Sequence, residues 1–491
     1  MPPREYQMLK MLITKEIAAT VFDLRFVVAT LLCVVLIPLG MYVSRKDYEG
    51  RLARYQREHA AYRQRHGTGI HGDLQTLEIQ GFRPPSPQSV FAAGVDPYLP
   101  DKMRTSRFGL FGTDKETQVG NPHALLFGKA DFRFSIAFVM SLVALIFSFS
   151  AVSGEREAGT LRLTIASAVP RSKILLSKIV GIYLALLIPL TLSLLIALLV
   201  LEASPDISIV SPQTSPALLA ILAVTCLFLL AMVNLGLCLS ALTRRATHAL
   251  VLAFFAWALL VLGVPKVSPM IADVFHPVES AGTLDFRKRL IAEDIDRAVV
   301  EETDVLTKKC YAKYGLRTDR YSSAEDEARA KADAEIEQGY LLLAERYQRR
   351  LAEELRRIEQ DYRGRTNVRS ALAMHLSRLS PACCYTYVVC GLSGTGLSEP
   401  ENFLRNARRY QDRIKQDIYD QVTFIRTRGV TRPIYAEGFD FRTVSVPEMV
   451  YTYPTLATAL QETWPDILLL GLLTVLFFSL AFLRFNKYDV R

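Results

Sequence analysis

Charged side chains are absent from six stretches of the chain, each rich in leucine, valine, isoleucine, alanine and phenylalanine. These stretches are Phe26–Ser44, Phe134–Gly154, Ile179–Leu201, Ile207–Thr243, Ala246–Pro265 and Ile467–Leu483. A hydrocarbon core about 30 Å thick needs roughly 20 apolar residues in helical form. An unpaired charge at the centre of such a helix costs about 2.5–3.5 kcal/mol on insertion scales. The six gaps in charge therefore predict six transmembrane helices and argue against a soluble protein.

Signatures of catalysis and of energy conversion are absent as well. No Gly-x4-Gly-Lys-Ser/Thr loop occurs in the chain, so it does not hold ATP in the manner of such loops. Neither a Gly-x-Ser-x-Gly nucleophile elbow nor a His-Glu-x-x-His zinc motif is present, which argues against an intramembrane peptidase. The six apolar stretches contain no acid that relays protons, which argues against a proton-coupled transporter. We expect a protein that is not an enzyme, has no metal or cofactor of its own, and takes energy from a separate ATPase.

Lysine and arginine are also absent from the short loop 202–214, which carries Glu202 and Asp206 instead. The other short segments carry a series of basic residues: Arg4, Lys10, Lys15, Arg25, Arg156, Arg162, Arg171, Lys173, Lys178, Arg244, Arg245, Arg484, Lys487 and Arg491. The positive-inside rule then predicts a multi-pass inner-membrane protein with both termini in the cytoplasm. This topology explains the net charge of +9, and no basic stripe with interleaved aromatic residues indicates nucleic-acid binding.

Two long polar insertions separate the predicted spans. The spans are expected at 26–44, 134–154, 179–201, 215–243, 246–265 and 467–484. The insertions at 45–133 and 266–466 hold most of the charge and are expected outside the cytoplasm. The chain also has an N-terminal amphipathic helix within 1–25, an inner loop at 155–178 and a tail at 485–491. We predict an all-α integral membrane protein: six transmembrane helices with a helical extracytoplasmic domain formed by the two insertions.

Proline is absent from Val278 to Ser380, which indicates helices in the second insertion. Apolar residues recur there at spacings of three and four, and we expect a helical bundle that covers the spans. The same insertion contains soft side chains of the kind that bind Cu(I): Met374, His375, Cys383, Cys384 and Cys390. We expect these residues to form a partly buried segment with one disulfide or free thiols rather than a metal site. Four cysteines in the insertion leave the pairing open.

The most distinctive local pattern is the inner loop SGEREAGTLRLTIASAVPRSKILLSK at 153–178. After an acidic pair, Gly159 permits a turn and Thr160 can cap a short apolar helix, which Pro170 ends. An ordinary positive-inside loop would explain the basic residues, but it would not explain the acidic pair followed by Gly-Thr and an apolar helix. We interpret the loop as a rigid cytoplasmic element that docks on a partner protein.

The segment GEREAGTLRL…PRSKILLSK, placed after the second span, resembles the signature of type 2 ABC exporter permeases. RPPSPQSVFAAGVDP at 83–97, RLSPACCYTYVVCGLSGTG at 378–396 and the ending at 452–491 resemble one branch of that family, the permeases for multi-copper enzyme maturation. The resemblance implies large extracytoplasmic insertions and a coupling helix that sits in a cleft of the ATPase subunit. It also implies a mechanical role in coupling to that subunit for Glu155, Arg156, Glu157, Gly159, Thr160, Leu161, Arg171 and Lys178.

From these patterns we expect the permease subunit of an ABC-type exporter. Its partners would be an ABC ATPase subunit, which binds the ATP, a second copy of the permease or a paralogous permease, and membrane lipid. An alternative is a membrane-anchored scaffold or assembly factor whose outer helical domain binds an extracytoplasmic partner without transport. A channel is a further alternative, and a current that needs no ATP would favour it.

Overall fold

The computed structural model describes residues 3–66, 79–106, 109–113, 129–166, 169–205, 207, 214–316, 326–427 and 448–487. Loop residues 167–168 and the last four residues of the predicted tail lie outside these ranges. Within the described ranges, six helices are long and apolar enough to cross a membrane. Spans 1 to 6 are Leu24–Gln64, Phe132–Glu157, Arg171–Glu202, Thr214–Leu242, Ala246–Phe275 and Leu456–Asn486. The prediction of an all-α membrane protein with six spans is confirmed.

Span 4 lies at the centre of the bundle and packs against spans 2 and 6. Its Gly236 lies directly against Ser148 of span 2, so a larger residue at this position would collide. Asn234 of span 4 donates a hydrogen bond from Nδ2 to the carbonyl oxygen of Thr474 in span 6, at 3.2 Å. Small residues and side-chain hydrogen bonds of this kind hold helices together where lipid removes the hydrophobic driving force.

The N-terminal helix, Pro3–Val21, packs along span 3. Gly181 of span 3 makes this close approach possible, because a side chain there would overlap Glu16 and the carbonyl oxygen of Ile13. The helix lies at the end of the bundle where spans 2 and 3 are joined, which we call the loop end. The opposite end carries the two polar insertions, and we call it the stalk end.

The second insertion forms a long helical hairpin, which we call the stalk. Its first helix is Ala281–Lys313 and its second is Asp326–Ser377. At 1.5 Å per residue the first helix extends about 50 Å. The base of the second helix packs against the end of span 5, where Arg369 pairs with Asp273 at 3.4 Å. The two longest helices of the insertion therefore pair as a hairpin, whereas we expected a bundle that covers the spans.

A short apolar helix, Pro381–Leu392, follows the stalk and packs between spans 4 and 6. We call it the wedge helix. Tyr385 stacks on Phe228 of span 4, with ring centroids 4.7 Å apart, and its hydroxyl lies 3.2 Å from that of Thr225. Ser380 caps the start of the helix and donates a hydrogen bond to the carbonyl oxygen of Leu260 in span 5, at 2.5 Å. The wedge helix therefore belongs to the membrane bundle, although its sequence lies in a polar insertion. Its cysteines, which are free thiols, are Cys383, Cys384 and Cys390.

The first insertion forms a small antiparallel sheet and a proline-rich segment. Strands β1, Ile79–Phe82, β2, Lys102–Ser106, and β3, Gly109–Thr113, pair in that order. The segment between β1 and β2 contains two single turns of 3₁₀-helix, Pro87–Val90 and Asp96–Tyr98. It packs on the loop after the wedge helix, where the Val95 amide donates to the carbonyl oxygen of Thr395 at 2.9 Å. Gly94 has a φ of 49° and lies against Thr395, so only glycine fits there.

Buried charges of the two insertions lie close together at the stalk end. Asp96 is fully buried and pairs with Arg83 at 2.5 Å and with Arg51 of the span 1 helix. Close by, Glu399 begins the helix Glu399–Thr427, which follows the wedge helix in the chain, and is 1% exposed. Glu399 accepts a hydrogen bond from the Tyr451 hydroxyl at 2.7 Å. Segments from three parts of the chain therefore meet in one polar core.

Glu399 is expected to make the stability of this core depend on pH. Burial raises the pKa of Glu399 to about 7, against its usual value of 4.5, and the hydrogen bond from Tyr451 and the charge of Arg83 oppose this only in part. Since the folded pKa is the higher one, the unfolded chain loses its proton first as the pH rises. Stability should therefore fall by about 3 kcal/mol at most between about pH 4.5 and pH 7 and then level off.

Thermal unfolding of the full chain in nanodiscs across pH 4.5–8 measures this effect. Glu399→Gln should reduce the fall in midpoint temperature over that interval. A variant whose midpoint depends on pH as steeply as that of the natural chain would contradict the assignment to Glu399. Glu401→Gln is the control, because Glu401 lies in the same first turn but is exposed.

Candidate functional site: the turn between spans 2 and 3

The candidate site is the turn at residues 153–171, at the loop end. A single helical turn, Ser153–Glu157, is followed by Gly159 with a φ of 73° and by a short helix, Thr160–Ala166. Gly159 adopts the left-handed conformation that ends one helix and re-aims the chain, which a residue with a Cβ adopts only at a cost. We call Thr160–Ala166 the turn helix.

Apolar packing holds the turn helix to the bundle. Leu161 is fully buried in a small cluster with side chains of spans 2, 3, 4 and 6. The other buried members of the cluster are Val152, Ile174, Leu175, Ile179, Leu237 and Phe485. Burial of one leucine stabilises by about 1.5–3 kcal/mol, so this anchor is strong for so short a helix.

A group of four charges, which we call the charge clamp, connects the turn to span 3 and the N-terminal helix. Lys178 of span 3 is 1% exposed and pairs with Glu155 at 2.9 Å and with Glu16 at 3.0 Å. Lys15 lies 3.5 Å from the same Glu155 oxygen, but its side chain is 55% exposed. Because Lys178 is enclosed, its two carboxylate partners are needed to compensate for its lost hydration.

Three further bonds connect the turn to the remaining spans at the loop end. Arg156 donates to the carbonyl oxygen of Thr243, at the end of span 4, at 2.8 Å. The Glu157 carboxylate accepts from the backbone amide of Ala246, at the start of span 5, at 3.0 Å. Arg171 donates to the carbonyl oxygen of Asn486, at the end of span 6, at 2.6 Å. Side chains of the turn therefore contact the ends of spans 4, 5 and 6 as well as span 3.

The opposite side of the turn helix faces solvent. Leu163 is 75% exposed, and Thr160 and Arg162 are exposed beside it. Leu161 and Leu163 are two residues apart, and a helix rotates by about 200° over that distance, so one is buried while the other points outward. The turn helix therefore presents Leu163 and Arg162 to its surroundings while Leu161 holds it to the bundle.

The structure divides the eight predicted coupling residues into two groups. Six of them contact other elements of the bundle: Glu155, Arg156, Glu157, Leu161, Arg171 and Lys178. Gly159 and Thr160 are exposed, and the Thr160 hydroxyl donates locally, to the carbonyl oxygen of Glu155 at 3.3 Å. Sequence analysis did not select Arg162 and Leu163, although the helical period alone indicates that Leu163 cannot share a face with Leu161.

Six apolar helices with a braced, solvent-facing turn between spans 2 and 3 define a multi-pass membrane protein. A family model for the ABC-2 family transporter protein matches residues 11–490. The chain therefore belongs to the ABC-2 transporter family and is of the ABC-2 permease type. No curated protein matches the chain.

Proposed function

We propose that the protein is the permease subunit of an ABC-type exporter and that a separate ATPase subunit drives it through the turn helix. The observation that carries the proposal is the two-sided construction of this helix, with Leu161 fully buried and Leu163 75% exposed. The buried side holds the helix in a fixed position against the spans. The exposed side presents an apolar contact, flanked by Arg162, to a partner. ATP would be bound and hydrolysed by that partner, and this chain would need no cofactor or catalytic residue.

The contacts of the turn suggest how a displacement of the turn helix would be transmitted to other parts of the protein. The charge clamp would carry it to span 3 and to the N-terminal helix, and Arg156 would carry it to the junction of spans 4 and 5. At the stalk end, Asp466 of span 6 binds Arg378 through two bonds of 2.7 and 2.9 Å. Because Arg378 directly follows the second stalk helix, a shift of span 6 would also move the stalk.

The proposal includes an orientation and an assembly. The loop end would face the cytoplasm of the inner membrane, with both termini, and the stalk would project to the other side. Two permease subunits, either two copies of this chain or one copy with a paralogue, would dock two ATPase subunits. The branch with large insertions that acts in multi-copper enzyme maturation fits the length of the stalk.

Leu163→Asp tests the docking surface. The substitution places a charge on the exposed side without disturbing the anchor, so an ABC ATPase that co-purifies with the tagged natural chain from its native host should be lost at least tenfold. Leu379→Asp is the matched control, because Leu379 is 71% exposed at the stalk end. Quantitative mass spectrometry of the purified complexes measures both.

Two results would contradict the proposal. One is ATPase recovery that is equal for Leu163→Asp and Leu379→Asp. The other is an unchanged recovery after both Leu163→Asp and replacement of 160–166 by a Gly-Ser linker. Either result would favour the alternative, a membrane-anchored scaffold whose stalk binds an extracytoplasmic partner.

A further inference from the structure

The stalk exposes large apolar side chains to water. On the first stalk helix, Val300 is 62% and Val305 is 50% exposed, and on the second stalk helix Leu342 is 67% exposed. These residues lie far from the spans in sequence and in a strongly charged background, so lipid contact does not explain them. Exposed apolar side chains that gather in one region of a surface indicate contact with another protein.

Over one stretch of the stalk, the exposed charges of the two helices have opposite signs. Between 293 and 304 the first helix has one exposed base, Arg297. Its exposed acids there are Glu293, Asp294, Asp296, Glu301, Glu302 and Asp304. Between 346 and 357 the second helix has one exposed acid, Glu353. Its exposed bases there are Arg346, Arg349, Arg350, Arg356 and Arg357. Over this stretch the first stalk helix therefore presents a negative surface and the second a positive one.

The two charged segments lie at the same height along the stalk. Tyr347 donates a hydrogen bond to Glu302 at 2.7 Å, and Gly339 lies against Leu306. This register places 293–304 beside 343–355, and it places Val305 beside Leu342. A two-fold axis along the membrane normal keeps each residue at the same height above the membrane. Such an axis would therefore place the acidic segment of each stalk at the level of the basic segment of the other.

We propose that the stalk packs against the stalk of a second copy of this chain in the same membrane, with the acidic segment of each facing the basic segment of the other. A foreign partner of one sign would be attracted by one stalk helix and repelled by the other. A two-fold copy satisfies both at once and covers the apolar residues beside them. The pairing requires only that both copies cross the membrane in the same sense, so it is independent of ATPase coupling.

Cross-linking between two differently tagged copies tests the register. One copy carries Val305→Cys and the other Leu342→Cys, and both are expressed together and treated in native membranes with a short bis-maleimide. A product that bears both tags is expected, at least fivefold above that from Val305→Cys with Val368→Cys. Val368 is 53% exposed but lies about 39 Å further down the second helix. Natural copies provide the blank for the native cysteines.

Charge reversal tests the complementarity. Arg346→Glu, Arg350→Glu and Arg356→Glu in both Val305→Cys and Leu342→Cys copies should reduce the product at least fivefold. The product should return when one copy keeps these changes and its partner instead carries Glu293→Lys, Asp296→Lys and Glu301→Lys, since both contacts are then attractive again. Circular dichroism checks that each variant keeps its helices. Three outcomes would each overturn the proposal. The cross-linked product could form equally with Leu342→Cys and with Val368→Cys, it could form with neither, or its yield could stay the same after charge reversal.

Discussion

Replacing Asp96 with alanine is expected to destabilise the stalk end by about 3–5 kcal/mol, because the substitution removes one partner of a buried ion pair. Asp96 is fully buried, and the side chain of its partner Arg83 is 1% exposed. Burial by itself would raise the pKa of Asp96, but the guanidinium groups of Arg83 and Arg51 outweigh it and hold that pKa below its usual value. Asp96 is therefore ionised, and its loss leaves Arg83 enclosed without its counter-charge.

Thermal unfolding in nanodiscs, followed by near-ultraviolet circular dichroism, measures the change. Asp47→Ala is the matched control, since Asp47 also binds Arg51, at 3.0 Å, but its side chain is 37% exposed. Exposed pairs contribute about 0.2–1 kcal/mol, so the control should unfold close to the natural chain. If Asp96→Ala and Asp47→Ala lower the midpoint equally, the buried pair does not hold the stalk end together.

The number of spans follows from the sequence because one strong physical term decides it. Charge is so costly in hydrocarbon that six stretches stand out without any knowledge of packing. The wedge helix is the instructive exception. With 12 residues it is too short to span a bilayer, and it lies within a polar insertion, so hydropathy assigns it to the outer domain. Only tertiary contacts, such as that of Tyr385 with Phe228, place it among the spans.

The candidate site was predictable as a segment but not in its orientation. The acidic pair, Gly159 and the apolar run locate the turn in the sequence. Whether Glu155 faces a partner or the protein depends on Lys178, 23 positions later, and on Glu16, in a different helix. Such pairings are set by how three helices pack and leave no periodic signal. The same limit applies to the stalk, whose helices were expected but whose pairing as a hairpin was not.

Lys178→Ala is expected to release the N-terminal helix from the bundle. Lys178 holds Glu155 and Glu16 at 2.9 and 3.0 Å, and removing it leaves two poorly solvated carboxylates facing each other. Breaking a buried pair costs about 3–5 kcal/mol, which exceeds what the remaining contacts of a peripheral helix readily supply. Proteolytic cleavage within Pro3–Val21 should accelerate more than tenfold. The distribution of distances between spin labels at Met11→Cys and Leu163→Cys should broaden. Both labelled positions are exposed, at 73% and 75%.

Lys15→Ala tests whether the effect of Lys178→Ala comes from the loss of its buried ion pairs or merely from the loss of one positive charge. Lys15 approaches the same Glu155 oxygen, at 3.5 Å, but is 55% exposed, so its removal should leave the cleavage rate within about twofold of the natural chain. Lys178→Arg keeps the charge and should restore most of the protection. A sharp distribution of label distances and slow cleavage in Lys178→Ala would show that the other contacts of the N-terminal helix, such as those at Gly181, are sufficient to hold it in place. A displacement of the turn helix would then reach the N-terminal helix without Lys178.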